Sequence, residues 1–495
     1  MRIHRLSAVL LVIPALFAQT ADLAVTNARV YTVNPKQPVA SALAVRQGRI
    51  VAVSDNISKL IGPSTKVIDA HGGTVVPGLI DSHGHMLSLG AALETLDLRG
   101  VTSEQEIADK VRAAARNLKP GEWIQGRAWD QNLWATKQFP SSASLSAAAP
   151  ANPVALSRVD GHAVWANARA MELADVTTAT VDPPGGKILK GADGRPSGVF
   201  LDNAQGLIQS KIPPDSPAQI ERRLRLAMKE CARFGLTAVD DAGVGKGEVE
   251  AYRKLARQGE MPIRVYAMIY GPGPYMDDWL KRTPEFGSYG ALGSRGASLL
   301  EPCDAANRMV LESYAAALKG TNDKRFRVEH AQIIAPSDFA TFAKYSILVS
   351  MQPTHATSDM PWAADRLGPE RVKGAYAWQT LLHLGVHVPA GSDFPVESPN
   401  PLWGFHAAVT RQDKDNHPDA GWFPEQRMSR EEALRAFTIE GAYAAFAEKD
   451  RGSLENGKLA DFVILSDDIM TIPVERLRNV HVTKTVVGGR IVFSE

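Results

Sequence analysis

Short alternations of apolar and polar residues, rich in β-branched side chains, begin near residue 22 and return at the far end of the chain. Leu23–Tyr31, Ala42–Arg46, Arg49–Val53, Thr65–Ile68 and Gly73–Val76 read as strands, with Gln47-Gly48 as a hairpin turn. Ala460–Leu465, Lys484–Val487 and Arg490–Phe493 repeat the pattern, with Gly488-Gly489 as a second turn. Two β-rich ends around a long middle predict one small β domain drawn from both, residues 22–77 and 450–495.

The middle, residues 78–449, changes period. Apolar β segments at Gly78–Asp81, Leu236–Val239, Ile263–Ile269, Phe326–Val328, Ile347–Met351 and Val386–Ala390 are separated by helical patterns. The clearest helices are Ser103–Asn117, with Ser103 as N-cap, Ala218–Phe234 and Arg430–Ala447. Strands alternating with helices predict a parallel α/β architecture. About 150 residues separate the first two of these strands, far more than a crossover needs. Residues 96–208 therefore read as an inserted α+β subdomain with its own strands, such as Trp123–Arg127 and Val154–Arg158.

Composition changes this picture little. The chain has 495 residues, 44% hydrophobic and 22% charged, which is ordinary globular usage and excludes a disordered chain. Its 55 Lys+Arg against 54 Asp+Glu leave a formal charge of +1, so no basic field argues for nucleic acid. Two cysteines, Cys231 and Cys303, cannot build a disulfide framework. The N-terminus is different. A basic Met1–Arg5 is followed by the apolar run Leu6–Phe17 and small residues up to Ala21, the pattern of an export signal over residues 1–21. That run is short for a membrane span, so the expectation is a periplasmic or secreted protein without stable membrane insertion.

The most informative stretch is Pro77-Gly-Leu-Ile-Asp-Ser-His83-Gly-His85. Residues i and i+2 of a strand share a face, so the two imidazoles can chelate one divalent ion. Further candidates end other strands: His330 after Arg325–Glu329, His355 after Met351–Thr354, and Asp393 after Val388–Ser392. In a parallel barrel such ends converge on one face. Imidazoles and a carboxylate gathered there support hydrolysis, with the metal acidifying water and Asp393 accepting its proton. His355 is placed to hold or polarise a small-molecule substrate. His162, between Gly161 and Ala163 in the inserted segment, is a candidate pocket residue from above, with a surface role as the alternative. Trp129, Trp134 and Trp165 suit core packing better than a pocket wall.

Taken together, Pro77–His85, Trp129–Trp134, Arg158–Asn167, Val328–Gln332, Gln352–Asp359, Gly391–Val396 and Gly452–Asp461 resemble the amidohydrolase superfamily, in its amidohydrolase-3 type. The resemblance runs through most of the chain. It implies a TIM-like (β/α) barrel, a β-sandwich from both termini, and metal-dependent hydrolysis of carbon–nitrogen bonds in amide-like substrates. On the matching positions it implies His83, His85, His330 and Asp393 as metal ligands, with Asp393 also moving the proton. One region departs from the family pattern. The lysine expected at strand 4 and the histidine expected at strand 5 have no counterpart between Ile269 and Phe326, and only about six barrel strands are recognisable. The remaining ligands suit one ion, zinc, rather than two. Three readings stay open: amide hydrolysis, deamination of a ring by the same chemistry, and a relative that keeps the scaffold without turnover. Whether the chain forms a homo-oligomer is equally open.

Overall fold

Gln47-Gly48 and Gly488-Gly489 adopt left-handed backbone at both central residues, with φ of 52° and 74° in one and 55° and 74° in the other. Two-residue hairpin turns of this hand match the twist of the flanking strands, and glycine meets the requirement without a Cβ clash. They close the hairpins Ala42–Arg46 with Arg49–Ser54, and Val482–Val487 with Arg490–Ser494. A computed structural model describes residues 20–269, 292–293, 298–301 and 304–495, and all that follows concerns these. The expected export signal, apart from its last two residues, and Cys303 lie outside them. Among the described residues, no helix is long and apolar enough to cross a membrane.

The chain divides into two units, Leu87–Ala227 and the remainder on either side of it. In the larger unit, both ends of the chain enter one six-stranded sheet. There Thr74–Pro77 lies between Arg29–Tyr31, its parallel neighbour, and Phe462–Leu465, its antiparallel one. A four-stranded sheet built around Leu23–Thr26 shares a core with it. Val25, Leu43, Val45 and Ile50 from one sheet join Val30, Val75, Phe462 and Val486 from the other.

The same unit holds the parallel strands. Leu79–Gly84, Leu236–Val244, Arg264–Ile269 and Leu292–Gly293 form one sheet, and Ser298–Glu301, Arg327–His330 and Leu348–Ser350 another. Residues 386–391 link the two. Val349 and Met351 donate to the carbonyls of His387 and Pro389, Gly391 donates to Met351, and Ser82 donates to Ala390. Val386–Ala390 was expected as a strand and forms only an isolated bridge, Met351 with Ala390. Pro389 has no N–H to give, so its ladder is one-sided. The helix expected over Arg430–Ala447 is also broken, into Arg430–Ala436 and Ile439–Ala444. The break falls at Thr438, whose hydroxyl donates back to the Leu434 carbonyl at 2.5 Å.

Half of the expected gap between Ile269 and Phe326 falls on residues outside the description. Two short parallel segments lie within it, Leu292–Gly293 beside Arg264–Ile269 and Ser298–Glu301 beside Arg327–His330, and neither contains lysine or histidine. Helix Asp304–Leu318 buries Val310, Leu311, Tyr314 and Leu318, the apolar set its sequence spacing displays.

The smaller unit carries a six-stranded mixed sheet that includes Ile124–Trp129, Val154–Arg158 and Ala163–Ala166. Trp129, Trp134 and Trp165 are all buried in its core, with Trp129 and Trp134 stacked at 6.1 Å between ring centroids. Asn167 is fully buried at the next corner. Its side-chain oxygen accepts from the N–H groups of Val154 and Ala170, and its amide donates to the carbonyls of Ala149 and Asn152. One side chain thus caps helix Ala168–Leu173 and pins the start of strand Val154–Arg158. Asn167→Ala removes four buried hydrogen bonds and should cost at least about 3 kcal/mol. Calorimetric unfolding checks this, and a loss below about 1 kcal/mol would show that the freed groups find other partners.

Candidate metal centre

Strand Leu79–Gly84 is buried along its whole length and delivers His83 and His85 to one end of the parallel sheet. Hydrogen bonds then lay residues 390–394 alongside it: the Asp393 N–H donates to the His83 carbonyl at 2.7 Å, and the His85 N–H to the Phe394 carbonyl at 2.9 Å. This pairing sets the Asp393 carboxylate against the His-x-His pair. Asp393 Oδ1 lies 3.0 Å from His85 Nε2 and 3.6 Å from His83 Nε2, while Oδ2 lies 3.6 Å from His355 Nε2.

A buried carboxylate below fixes this arrangement. Asp81 Oδ1 accepts from the N–H groups of His83 and Ser392, and its Oδ2 accepts from the Ser392 hydroxyl at 2.6 Å. Burial pushes its carboxyl up to about 6 against these hydrogen bonds. No side chain fits at Gly391, where a Cβ would stand 2.6 Å from both Asp81 Oδ1 and the His83 nitrogen.

His330 arrives from the end of strand Arg327–His330 with φ of +64°, and Asp393 has φ of +58°. Left-handed backbone is uncommon for residues other than glycine and clusters at functional sites. At His330 it brings the ring to 4.7 Å from that of His83, between centroids. His83, His330 and Asp393 offer ligand atoms that all lie within 4.8 Å of one another. His355, in the first turn of helix Pro353–Arg371, stacks on His330 at 5.9 Å with the rings 16° apart.

Each Nδ1 of the three candidate imidazole ligands is engaged. His83 Nδ1 contacts Glu329 Oε2 at 2.7 Å, His85 Nδ1 the Ala242 carbonyl at 2.9 Å, and His330 Nδ1 the Gln352 side-chain oxygen at 2.8 Å. These partners leave Nε2 of each ring for other use. His83 Nε2, His355 Nε2 and Asp393 Oδ1 are buried and make no hydrogen bond. Buried polar atoms are nearly always satisfied, so unpartnered lone-pair atoms of His83 and Asp393, gathered with His330, fit a cation.

Electrostatics follow the geometry. Burial pushes Asp393 up, but the His85 contact and the fields of His83, His330 and His355 outweigh it and leave the carboxyl below its ordinary value. The same contact holds His85 above the ordinary imidazole value against burial. Burial and then His83 lower His330, and burial takes His355 down to about 4. His162 belongs to the smaller unit, where it is largely exposed and its Nδ1 sits 2.9 Å from Asp202 Oδ1.

Sequence reasoning did not single out Asp81, Glu329, Gln352 or Ser392. Two of them had a readable signal, since Glu329 and Gln352 flank His330 and His355 at strand ends.

A model of the amidohydrolase family matches residues 66–303 and 297–493. The Arabidopsis thaliana protein LONG AFTER FAR-RED 3 is 33% identical, over 96% of this chain and 92% of that protein. The N-substituted formamide deformylase of Arthrobacter pascens is 27% identical, over 95% and 98%. Among solved structures, an uncharacterised metal-dependent hydrolase from Pyrococcus furiosus superposes with a TM-score of 0.73 at 24% identity, covering 91% of this chain and all of that one.

Gly391→Ala should destabilise the protein by about 1–3 kcal/mol, because neither backbone nor the buried Asp81 can yield to the new methyl. Equilibrium urea unfolding measures it, and an unshifted midpoint would show that the loop has room to move.

Proposed function

The chain belongs to the amidohydrolase family, and from that membership we propose that it hydrolyses carbon–nitrogen bonds, other than peptide bonds, in small amide-like molecules. The observation that carries this reading is the convergence of His83, His330 and Asp393, with buried atoms of His83 and Asp393 left without hydrogen bonds. These three, with His85 beside Asp393, would hold one divalent ion, and their nitrogen-and-oxygen donor set suits zinc. When bound, such an ion supplies Lewis acidity and brings the ionisation of water toward neutral pH.

The remaining tasks fall to side chains of this chain. Asp393 has one oxygen toward His83 and His85 and the other toward His355, so a single carboxylate can serve the cation and still take a proton. In this reading Asp393 takes a proton from water as its oxygen bonds to the amide carbon. It returns that proton to the nitrogen as the carbon–nitrogen bond breaks. His355, with Nε2 buried and unpartnered, holds the substrate oxygen. Glu329 and Gln352 keep His83 and His330 from turning. The formamide deformylase relative names a carbon–nitrogen substrate of this kind, which supports the choice of amides over other bonds.

The purified protein should bind about one equivalent of zinc, and chelation should abolish hydrolysis of N-formyl amines or simple amides. Asp393→Asn should lower turnover by about 10²–10⁴-fold with the fold intact. Elemental analysis and product release check both statements. A metal-free protein whose stability is unchanged by His83→Ala would overturn the reading.

A further inference from the structure

The interior beneath the candidate centre is not apolar. Arg327 and Glu329 are two residues apart on one strand and so share a face. Both are almost wholly buried, and Arg327 Nε lies 2.5 Å from Glu329 Oε1. The guanidinium spans to two other strands: one nitrogen donates to Asp240 Oδ2 at 2.8 Å and another to the Ser82 carbonyl. Glu329 turns its second oxygen to His83 Nδ1, 246 residues away in sequence, at 2.7 Å. Asp240, Arg327, Glu329 and His83 thus make a continuous buried chain of charge-assisted contacts across three strands.

We infer that Glu329 is a positioning residue for the metal centre, acting through His83, and that Arg327 and Asp240 hold it in place. This rests on the reading of His83 as a metal ligand. A carboxylate tied to a buried guanidinium is an acceptor, so the His83 proton sits on Nδ1. The lone pair of Nε2 then faces Asp393 and His330, and the ring cannot rotate about its bond to Cβ without losing the contact. Arg327 reaches the Ser82 carbonyl as well, so the same guanidinium braces the strand that carries His83. At Nδ1, His330 and His85 meet neutral oxygens, of Gln352 and Ala242, whereas His83 meets a carboxylate there. Partners of this kind contribute about 10–100-fold to metal affinity.

The test is a double-substitution cycle on the full chain, read as Zn²⁺ affinity by chelator competition. Glu329→Gln keeps size and removes the charge; it should weaken Zn²⁺ binding by about 10–100-fold. In a His83→Ala background the same substitution should change affinity less than about twofold, because the path from Glu329 to the ion runs through that ring. A general structural role would weaken both backgrounds alike, and that result overturns the inference. Equal Zn²⁺ affinity of Glu329→Gln and the unsubstituted protein overturns it as well. Should Glu329→Gln fail to fold, Glu329→Asp carries the same cycle, since it keeps the charge beside Arg327 and withdraws it from His83. An unsubstituted protein that binds no Zn²⁺ removes the proposed function itself, which separates the two failures.

Discussion

Desolvation of charge is the constraint on which the interior depends. Taking an ionised side chain out of water costs several kcal/mol unless a partner replaces the lost solvent. Here Asp81, Asp240, Asp241, Arg327 and Glu329 are all buried beneath a cluster of imidazoles. Each has a named partner: Ser392 for Asp81, Arg327 for Asp240 and Glu329, and the Tyr252 hydroxyl and Met86 N–H for Asp241. Burial still shows through, because the carboxyls of Asp81, Asp240 and Asp241 are all pushed up to about 6. Such a network tolerates little rearrangement, since breaking one pair strands the other group. That rigidity is what a cluster of side chains drawn from distant strands requires.

The backbone carries strain in the same place. His330 and Asp393 both adopt left-handed φ, which costs about 1–3 kcal/mol at residues other than glycine. Local bonds offset it: Asp393 N–H to the His83 carbonyl, and His330 Nδ1 to Gln352. Without the turn at His330, strand alternation would send its side chain to the face opposite that of Glu329. With it, the two imidazoles that matter most to the cluster stand ring to ring.

Local chemistry made much of this readable. The apolar strand before His83, the hairpin turns and the Ser103 cap all announce themselves within a few residues, because each depends on short-range sterics or periodicity. The strand ends bearing His330 and Asp393 were readable for the same reason. Where one residue overrides its neighbours, the pattern misleads, as Pro389 does in an apolar run and Thr438 does in a helical one. The partners that orient the imidazoles lie beyond any window: Glu329 and His83 meet across 246 positions, Asp81 and Ser392 across 311. Nothing in the spacing of a single chain says which buried carboxylate will face which ring.

The sheet that unites the two ends of the chain bears on synthesis. Thr74–Pro77 leads directly into the strand bearing His83, and its antiparallel neighbour is Phe462–Leu465. A ribosome makes the first of these segments long before the second. The nascent chain therefore emerges with that edge bare, and the anchor of the strand bearing His83 is locked only once residues 462–465 have been made. Contacts closed over so large a loop form slowly, so this pairing waits on the synthesis of everything between its two strands.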